Sequence, residues 1–384
     1  MALLAAVLAG CGGGTGGTSA GTGGGGPSWH RTIVGDSFPV PDASDLLSEG
    51  CVALEASGAG TTYAAYADQN QYDPLMRGWD GVSWTGQGGT PRAVSYFYGC
   101  VMAAARTDAG EPVLIWPEQP VSQEAAIHAA RYSGGAWIAM GDPVAIGTTS
   151  AIGEIHAVPA AGGPLMSWTI WEAATNVVHV ARWSGSGWVE LGTPRIGLKY
   201  GFFALAASPG GDPVAAYAAP DGSAVVERWS SSTLAWTATP SLGITSATAV
   251  AVGVDGAGAL YAAVPKVAPS ALPSVSVDAV WRLAPGAGAW STLGLPPGFT
   301  TATSRMTLLG LPATGGGVVA AWIQGGARIA RYTGGAWETV YAPTAPEYSQ
   351  TRPMLSATSA NDLWFGYVSS MYVPSMVVWR LQKY

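Results

Sequence analysis

The chain has 384 residues, a formal net charge of −7 and only 11% charged residues, less than half the usual share of about 25%. It contains no basic stretch, so we expect no nucleic-acid partner. Glycine (54), proline (27) and tryptophan (17) are abundant, and hydrophobic residues make up 48% of the chain. This composition favours short strands and tight turns around a large core rather than helices.

The N-terminal segment predicts export. MALLAAVLAGC is an apolar run that ends in small residues before Cys11, as export signals do, and it is too short to cross a bilayer as a helix. Residues 12–27 are mainly Gly, Ser and Thr and behave as a flexible coil that reaches about 20–25 Å. We therefore expect a signal peptide in 1–10, a tether in 11–27 and one folded domain in 28–384.

A tryptophan recurs through the folded part at spacings of 53, 51, 48, 54 and 47 residues. The positions are Trp84, Trp137, Trp188, Trp236, Trp290 and Trp337. A period near 50 in a chain of short strands is typical of propeller blades. Each unit contains two apolar runs followed by a phrase such as ARYSGGAW, which reads as strand, turn and strand. We expect four strands per unit, A to D, with this phrase as the C–D hairpin.

The two ends of the folded part complement each other. The chain ends in MVVWRLQKY, which matches strand C, and no Trp-bearing strand D follows it. The segment SWHRTIVG carries Trp29 without a strand C before it. We predict that this N-terminal strand completes the last blade. The fold class is then all-β: a seven-bladed β-propeller of four-stranded blades with no long unpaired edge.

The hairpin phrase has a physical logic. Gly81, Gly134, Gly185 and Gly334 stand three residues before the Trp, at a turn position that needs positive φ. The preceding residue, such as Asp80, bonds the turn backbone, and the Trp packs between blades.

An arginine recurs just before the strand-C aromatic residue. We favour a structural role, through stacking on tryptophan or bonds to strand-end carbonyls, over a ring of cations that binds ligand. The positions are Arg131, Arg182, Arg228, Arg282, Arg331 and Arg380.

The leader resembles the lipobox of bacterial lipoproteins, carried by Leu8-Ala9-Gly10-Cys11. The resemblance implies cleavage before Cys11, acylation of its thiol, and a place in the bacterial cell envelope, at the outer membrane or the cell surface. No Lys or Arg precedes the apolar run. A start further upstream, or a leader without lipidation, therefore stays open.

The hairpin phrases, with WDGVSW and SANDLWFGY, resemble the kelch-like and Asp-box-like units of sialidase-type β-propellers of secreted bacterial proteins. The resemblance covers about residues 28–384 and implies the architecture. In the Asp-box pattern the aspartate stands one position before Asp80, and most copies in this chain lack it. We therefore expect no metal ion at these turns.

Catalytic motifs are absent from the sequence. The four histidines have no metal-ligand spacing, no G-x-S-x-G is present, and the Gly-rich stretches lack a strand–helix context. We predict no catalytic residue, metal or cofactor. Cys51 and Cys100 occupy matching strand-A positions in successive units, as a disulfide or as two thiols.

One predicted face gathers the candidate ligand residues, because the D–A and B–C connections of a propeller share one side. Aromatic platforms with polar groups suit glycans or peptides; the alternative is that these are solvated loop residues. The D–A candidates are Arg92, Arg195, Lys199, Tyr200, Arg305 and Arg352. The B–C candidates are Glu118, Glu172, Trp116 and Trp171.

Glu154 and His156 stand two residues apart on one inner strand and are expected to face the channel. Together these features predict a lipid-anchored, monomeric binding or scaffold module for a glycan or protein ligand. The alternative is a sialidase-like glycan hydrolase or lyase on the Arg- and carboxylate-bearing face.

Overall fold

The computed structural model describes most of the folded part of the chain. The described residues are 28–34, 38–39, 52–56, 61–67, 73–91, 101–118, 124–147, 151–171, 176–192, 195–196, 203–267, 275–299, 306–312, 316–324, 326–343, 353–369 and 375–384. They form strands and turns and no helix, so none of them provides a helix that could span a membrane.

The strands form seven antiparallel sheets, which confirms the predicted fold class. Two strands precede the first complete blade: β1 (Trp29–Ile33) and β2 (Phe38–Pro39). Blade 1 consists of β3 (Val52–Ala56), β4 (Thr62–Ala67), β5 (Pro74–Trp79) and β6 (Trp84–Gly86). Blade 2 consists of β7 (Ala103–Arg106), β8 (Pro112–Glu118), β9 (Ala125–Ser133), β10 (Ala136–Ala139) and β11 (Val144–Gly147). Blade 3 consists of β12 (Ala151–Val158), β13 (Leu165–Trp171), β14 (Asn176–Trp183), β15 (Trp188–Glu190) and β16 (Arg195–Ile196).

The remaining blades follow the same order. Blade 4 consists of β17 (Phe203–Ala207), β18 (Pro213–Ala218), β19 (Ala224–Ser230) and β20 (Ala235–Ala238). Blade 5 consists of β21 (Ala251–Val254), β22 (Leu260–Val267), β23 (Val275–Leu283) and β24 (Ser291–Thr292). Blade 6 consists of β25 (Met306–Gly310), β26 (Val318–Ile323), β27 (Ala327–Thr333) and β28 (Ala336–Tyr341). Blade 7 consists of β29 (Met354–Ser359), β30 (Asp362–Ser369), β31 (Ser375–Lys383) and β1, and the short β2 also pairs with β31.

The first strand of each blade, strand A, lies at the centre of the molecule. Each strand A contacts strand A of the next blade, from β3 through β7, β12, β17, β21, β25 and β29 and back to β3. The seven inner strands therefore enclose a central channel. The apolar core lies between the blades, because each cluster of buried side chains combines residues of two neighbouring blades.

The N-terminal strand closes the ring, as predicted. β1 pairs antiparallel with β31, from Trp29 opposite Lys383 to Ile33 opposite Trp379, and so forms the outer strand of blade 7. The indole of Trp29 donates to Glu338 of blade 6 at 3.1 Å, and the Arg31 guanidinium stacks 4.6 Å from the Trp379 ring centroid. The last blade is thus built from both ends of the folded part.

The C–D hairpins have the predicted turn geometry. The four predicted glycines, Gly81, Gly134, Gly185 and Gly334, have φ between 61° and 103°. In blade 1 the Asp80 carboxylate accepts hydrogen bonds from the Val82 and Ser83 amides. In five hairpins the strand-C aromatic residue lies directly opposite the strand-D tryptophan, with ring centroids 5.4–5.7 Å apart.

The strand-D tryptophans join neighbouring blades, which confirms the expected packing. Five indole N–H groups donate to a backbone carbonyl that follows strand D of the preceding blade, over 2.7–3.0 Å. The pairs are Trp84 with Val34, Trp137 with Gln87, Trp236 with Leu191, Trp290 with Pro240, and Trp337 with Leu293. Trp188 makes no such bond within the described residues.

A second glycine, which the sequence reasoning missed, makes room for this contact. Gly88 and Gly192 follow the acceptor residues Gln87 and Leu191 and have φ of 66° and 76°. A Cβ atom on Gly192 would lie 2.7 Å from Cζ3 of Trp229 in the next blade. The chain therefore needs glycine there both for the backbone conformation and for the approach of the ring.

Two of the recurring arginines bond backbone carbonyls of the next blade, as predicted, whereas Arg131 pairs with the Glu111 carboxylate. Arg182 donates to the Gly211 carbonyl of the next blade at 2.7 Å. Arg331 donates to the Ala360 carbonyl of the next blade at 2.7 Å and stacks over Trp29, with its Cζ 4.9 Å from the ring centroid. Both bonds reach the A–B turn of the neighbouring blade and hold the ring together.

We predict that Trp236→Phe destabilises the fold by about 1–2 kcal/mol. The ring still fills the interface, but the Leu191 carbonyl loses its donor. Urea unfolding measures the loss. Trp188→Phe is the matched control, since this indole makes no such bond within the described residues, and it should cost clearly less. Equal losses in both variants would contradict the role of the hydrogen bond.

Candidate functional site

A cavity formed by the described residues occupies the central channel. It has a volume of about 860 Å³ and is lined by all seven A strands. Its wall consists mostly of aliphatic side chains and backbone, including Leu54, Leu205, Val252, Leu308 and Leu355. Ionisable side chains are few along this wall, and two pairs of them stand out.

The first pair is Glu154 and His156 on β12. Both side chains line the channel, which confirms the predicted placement, and Nε2 of His156 lies 3.1 Å from Oε2 of Glu154. They are 24% and 22% exposed, so a molecule in the channel can reach them. Alternation along a strand puts residues two apart on the same side, which is why the sequence spacing predicted that both face the channel. Glu154 lies in the first half of β12, toward the D–A end of the channel.

The second pair is Glu55 and Arg106, from blades 1 and 2. Arg106 is the last residue of β7, and its Nε donates to Oε1 of Glu55 at 2.9 Å, next to the A–B turns. Burial raises the pKa of Glu55 to about 7, although the Arg106 charge and hydrogen bond act to lower it. On the neighbouring strand β4, Tyr63 lies opposite Glu55, and burial raises its pKa too.

The sequence reasoning missed this second pair. No local motif marks it, because its two members stand 51 residues apart in different blades. The blade period could have predicted it, because residues about 50 positions apart occupy equivalent places on neighbouring inner strands, here the ends of β3 and β7.

Trp116 and Glu118, two predicted ligand residues, are buried at the interface of blades 1 and 2. They are 2% and 0% exposed, and the Trp116 indole donates to Oε1 of Glu118 at 2.7 Å. Trp116 stacks on His128, whose Nε2 lies 3.7 Å from Oε2 of Glu118. Burial lowers the pKa of His128 despite the nearby Glu118 carboxylate. In this arrangement the three side chains bind one another, and neither predicted residue presents a surface to solvent.

The other predicted site residues lie outside the described structure. The backbone of Arg195 and Trp171 belongs to β16 and β13, but their side chains are not described. Their proposed roles, the acylation of Cys11 and the state of the two cysteines stay predictions. The residues wholly outside are Cys11, Cys51, Arg92, Cys100, Glu172, Lys199, Tyr200, Arg305 and Arg352.

The described part of the chain contains no cluster of side chains that could hold a metal ion. No three His, Cys, Asp or Glu side chains come together there as ligands. Asp255, a buried carboxylate at the A–B end of the channel, accepts from the Ala257, Ala259 and Gly317 amides and from the Tyr261 hydroxyl. It holds blades 5 and 6 together.

Comparisons with known proteins support the architecture. No protein-family model matches the chain, and no curated protein is similar to it in sequence. Among solved structures, an ulvan lyase bound to a glucuronate–rhamnose unit has a TM-score of 0.55 at 10% identity, covering 91% of this chain and 95% of its own. The α-L-arabinanase of Penicillium chrysogenum, complexed with arabinobiose, has a TM-score of 0.52 at 13% identity, covering 91% and 98%. BBS1N in complex with ARL6DN has a TM-score of 0.50 at 12% identity, covering 93% and 97%.

These likenesses establish a shared fold across nearly the whole chain. At such low identity they carry no residue-level correspondence, and one fold of this kind serves unrelated functions.

We predict that the stability of the protein falls between pH 4.5 and 7 because of Glu55. Its pKa is raised by folding, so the protonated form favours the folded state and that contribution is lost as pH rises to about 7. The loss amounts to about 3 kcal/mol. Urea unfolding across this range should show a flatter profile for Glu55→Gln. The control is Glu111→Gln, since the pKa of Glu111 is lowered by hydrogen bonds from Ser133 and Arg131. A wild-type slope in Glu55→Gln would contradict the assignment.

Proposed function

We propose that this protein is a lipid-anchored β-propeller of the bacterial cell envelope that binds a glycan at the D–A mouth of its central channel. The observation that carries the proposal is the Glu154–His156 pair on the channel wall. A concave, largely apolar site with a few placed polar groups is the usual form of a ligand pocket, and about 860 Å³ falls within the common range of roughly 300–1,000 Å³.

The chemistry of the pair suits sugar hydroxyls. A carboxylate accepts hydrogen bonds, and the imidazole both donates and accepts, so together they match groups that do both. The predicted cations Arg195, Arg305 and Arg352 belong by sequence to the same D–A side. Two solved structures with a similar fold have sugars bound, which makes glycans the first class to test.

A protein ligand is the other occupant of a binding module. BBS1N, with the same fold, was solved in complex with ARL6DN. Parallel binding assays with glycans and with envelope proteins distinguish the two classes.

The alternative function is a glycan hydrolase or lyase. The Glu154–His156 contact favours it, because a carboxylate that orients an imidazole is a common proton-transfer arrangement. Turnover of a labelled polysaccharide panel, lost in His156→Ala and Glu154→Gln, would establish the enzyme and overturn the binding-only proposal.

We predict that His156→Ala and Glu154→Gln each weaken glycan binding by about tenfold or more, as loss of a hydrogen bond to a charged group does. A glycan array followed by calorimetry measures the effect. The control is His179→Ala, because His179 pairs with Glu190 in the same blade at 2.7 Å but lies away from the channel.

The loop cations have a separate test. We expect Arg195→Ala and Arg352→Ala to weaken the same binding, through lost hydrogen bonds and charge. Unchanged binding in both variants would refute the assignment of the ligand to the D–A face. Binding that also survives His156→Ala would refute the channel mouth as the site.

Membrane anchoring is predicted to depend on Cys11. In Cys11→Ser the thiol that carries the acyl chains is missing, so the protein should move from the membrane to the soluble fraction. Fractionation of cells that express each form measures the change. Ser19→Ala in the tether serves as the control. A Cys11→Ser protein that still partitions with the membrane would exclude lipidation at this residue.

A further inference from the structure

We propose that the A–B end of the channel is a second binding site, for an aliphatic carboxylate held by the Arg106 guanidinium. The A–B end is the part of the channel beside Glu55, Arg106 and Asp255, at the ends of the inner strands. Glu154 and His156 lie four and two residues before the end of β12, about 13 Å and about 7 Å away along the strand. The second site therefore uses different groups from the glycan mouth and does not depend on that proposal.

The charge at this end is unusual for the channel. Arg106 is the only Arg or Lys among the described lining residues, and its side chain is 34% exposed. Its Nε donates to Glu55, and no hydrogen bond of its two terminal nitrogens is present within the described structure. A guanidinium in a cavity whose terminal nitrogens make no bond within the protein is suited to hold a carboxylate with two parallel hydrogen bonds.

The two neighbouring carboxylates do not occupy the terminal nitrogens of Arg106, so an anionic ligand can bind there. Asp255 is 1% exposed, and its oxygens are already bound by three amides and the Tyr261 hydroxyl. Glu55 is the only other carboxylate at this end among the described lining residues, and its burial disfavours its charge. Glu55 binds Nε alone, so the Arg106 charge is partly compensated and its terminal nitrogens stay available to a ligand carboxylate.

The channel wall between the two polar pairs determines which kind of ligand body, beyond its carboxylate, can bind. The described lining residues include no phenylalanine, tyrosine or tryptophan on which a sugar ring would stack. They are mainly Ala, Val, Leu, Ile, Met and Pro. An aliphatic body gains from burial against this wall. Hydroxyl groups would lose their hydrogen bonds to water there, except at the D–A mouth, where Glu154 and His156 can bond them.

Two sources carry this chemistry: a fatty acid and the C-terminus of an apolar peptide. Octanoate represents the first, with octanol as its uncharged counterpart. An N-acetylated Ala-Leu-Val peptide with a free carboxylate represents the second, with its C-terminal amide as the counterpart. The two sources are distinguished by comparing the probes. The probe that represents the ligand binds more tightly in its charged form than in its neutral form, and loses this preference in Arg106→Gln.

Calorimetry on the full chain tests the proposal with four proteins. Wild type should bind octanoate or the peptide acid about tenfold or more tightly than its neutral counterpart. Arg106→Gln should abolish this preference, and Glu55→Gln should increase it by removing the competing charge. Arg131→Gln is the matched control, because Arg131 also pairs with a glutamate in blade 2 at similar exposure, but outside the channel. It should leave the preference unchanged.

The double variant Glu55→Gln/Arg106→Gln is the control for misfolding of Arg106→Gln. It removes both charges and therefore leaves no unpaired ion. Its fold is checked by circular dichroism and urea unfolding. We expect it to bind charged and neutral probes equally. The proposal is overturned if wild type shows no preference for either carboxylate, or if the preference persists in Arg106→Gln or in the double variant.

Discussion

The ring depends on one repeated contact: a tryptophan indole of strand D that donates to a backbone carbonyl of the preceding blade. A four-stranded blade is apolar on both faces and cannot be stable alone, because each face needs a neighbour. Burial supplies most of the attraction between blades but has no direction. The hydrogen bonds at Trp84, Trp137, Trp236, Trp290 and Trp337 set how five of the seven blades sit against the preceding blade. This is why the chain repeats the hairpin phrase and varies the loops.

Close packing near the axis determines the shape of the channel. Gly253 and Gly310 allow the inner strands of blades 5 and 6 to approach, since a Cβ on Gly253 would lie 2.8 Å from the Gly310 nitrogen. The inner strands are therefore rich in small residues, and the space that they leave is narrow and aliphatic. In such surroundings a charged side chain is costly unless it is paired. Both ionisable pairs of the channel, Glu154 with His156 and Glu55 with Arg106, follow that rule.

Similar residue pairs have different roles in the blades and in the channel. His128 with Glu118 and His179 with Glu190 combine the same groups as His156 with Glu154, but they lie outside the channel lining. Arg131 with Glu111 corresponds in the same way to Arg106 with Glu55. Residue type alone therefore does not separate structural pairs from candidate binding pairs. The difference lies in which strand of the blade carries them.

The sequence by itself determined the all-β class, the blade count, the positive-φ glycines of the hairpins and closure by the N-terminal strand. These features follow from local turn chemistry and from a period of about 50 residues, both readable along the chain. The inward position of Glu154 and His156 was also readable, because alternation along one strand places both on one side. Only the tertiary structure decided that Trp116 and Glu118 are buried between blades and that Glu55 meets Arg106. Those outcomes depend on which faces of two blades come together, and contacts between residues some 50 positions apart leave no local pattern in the chain.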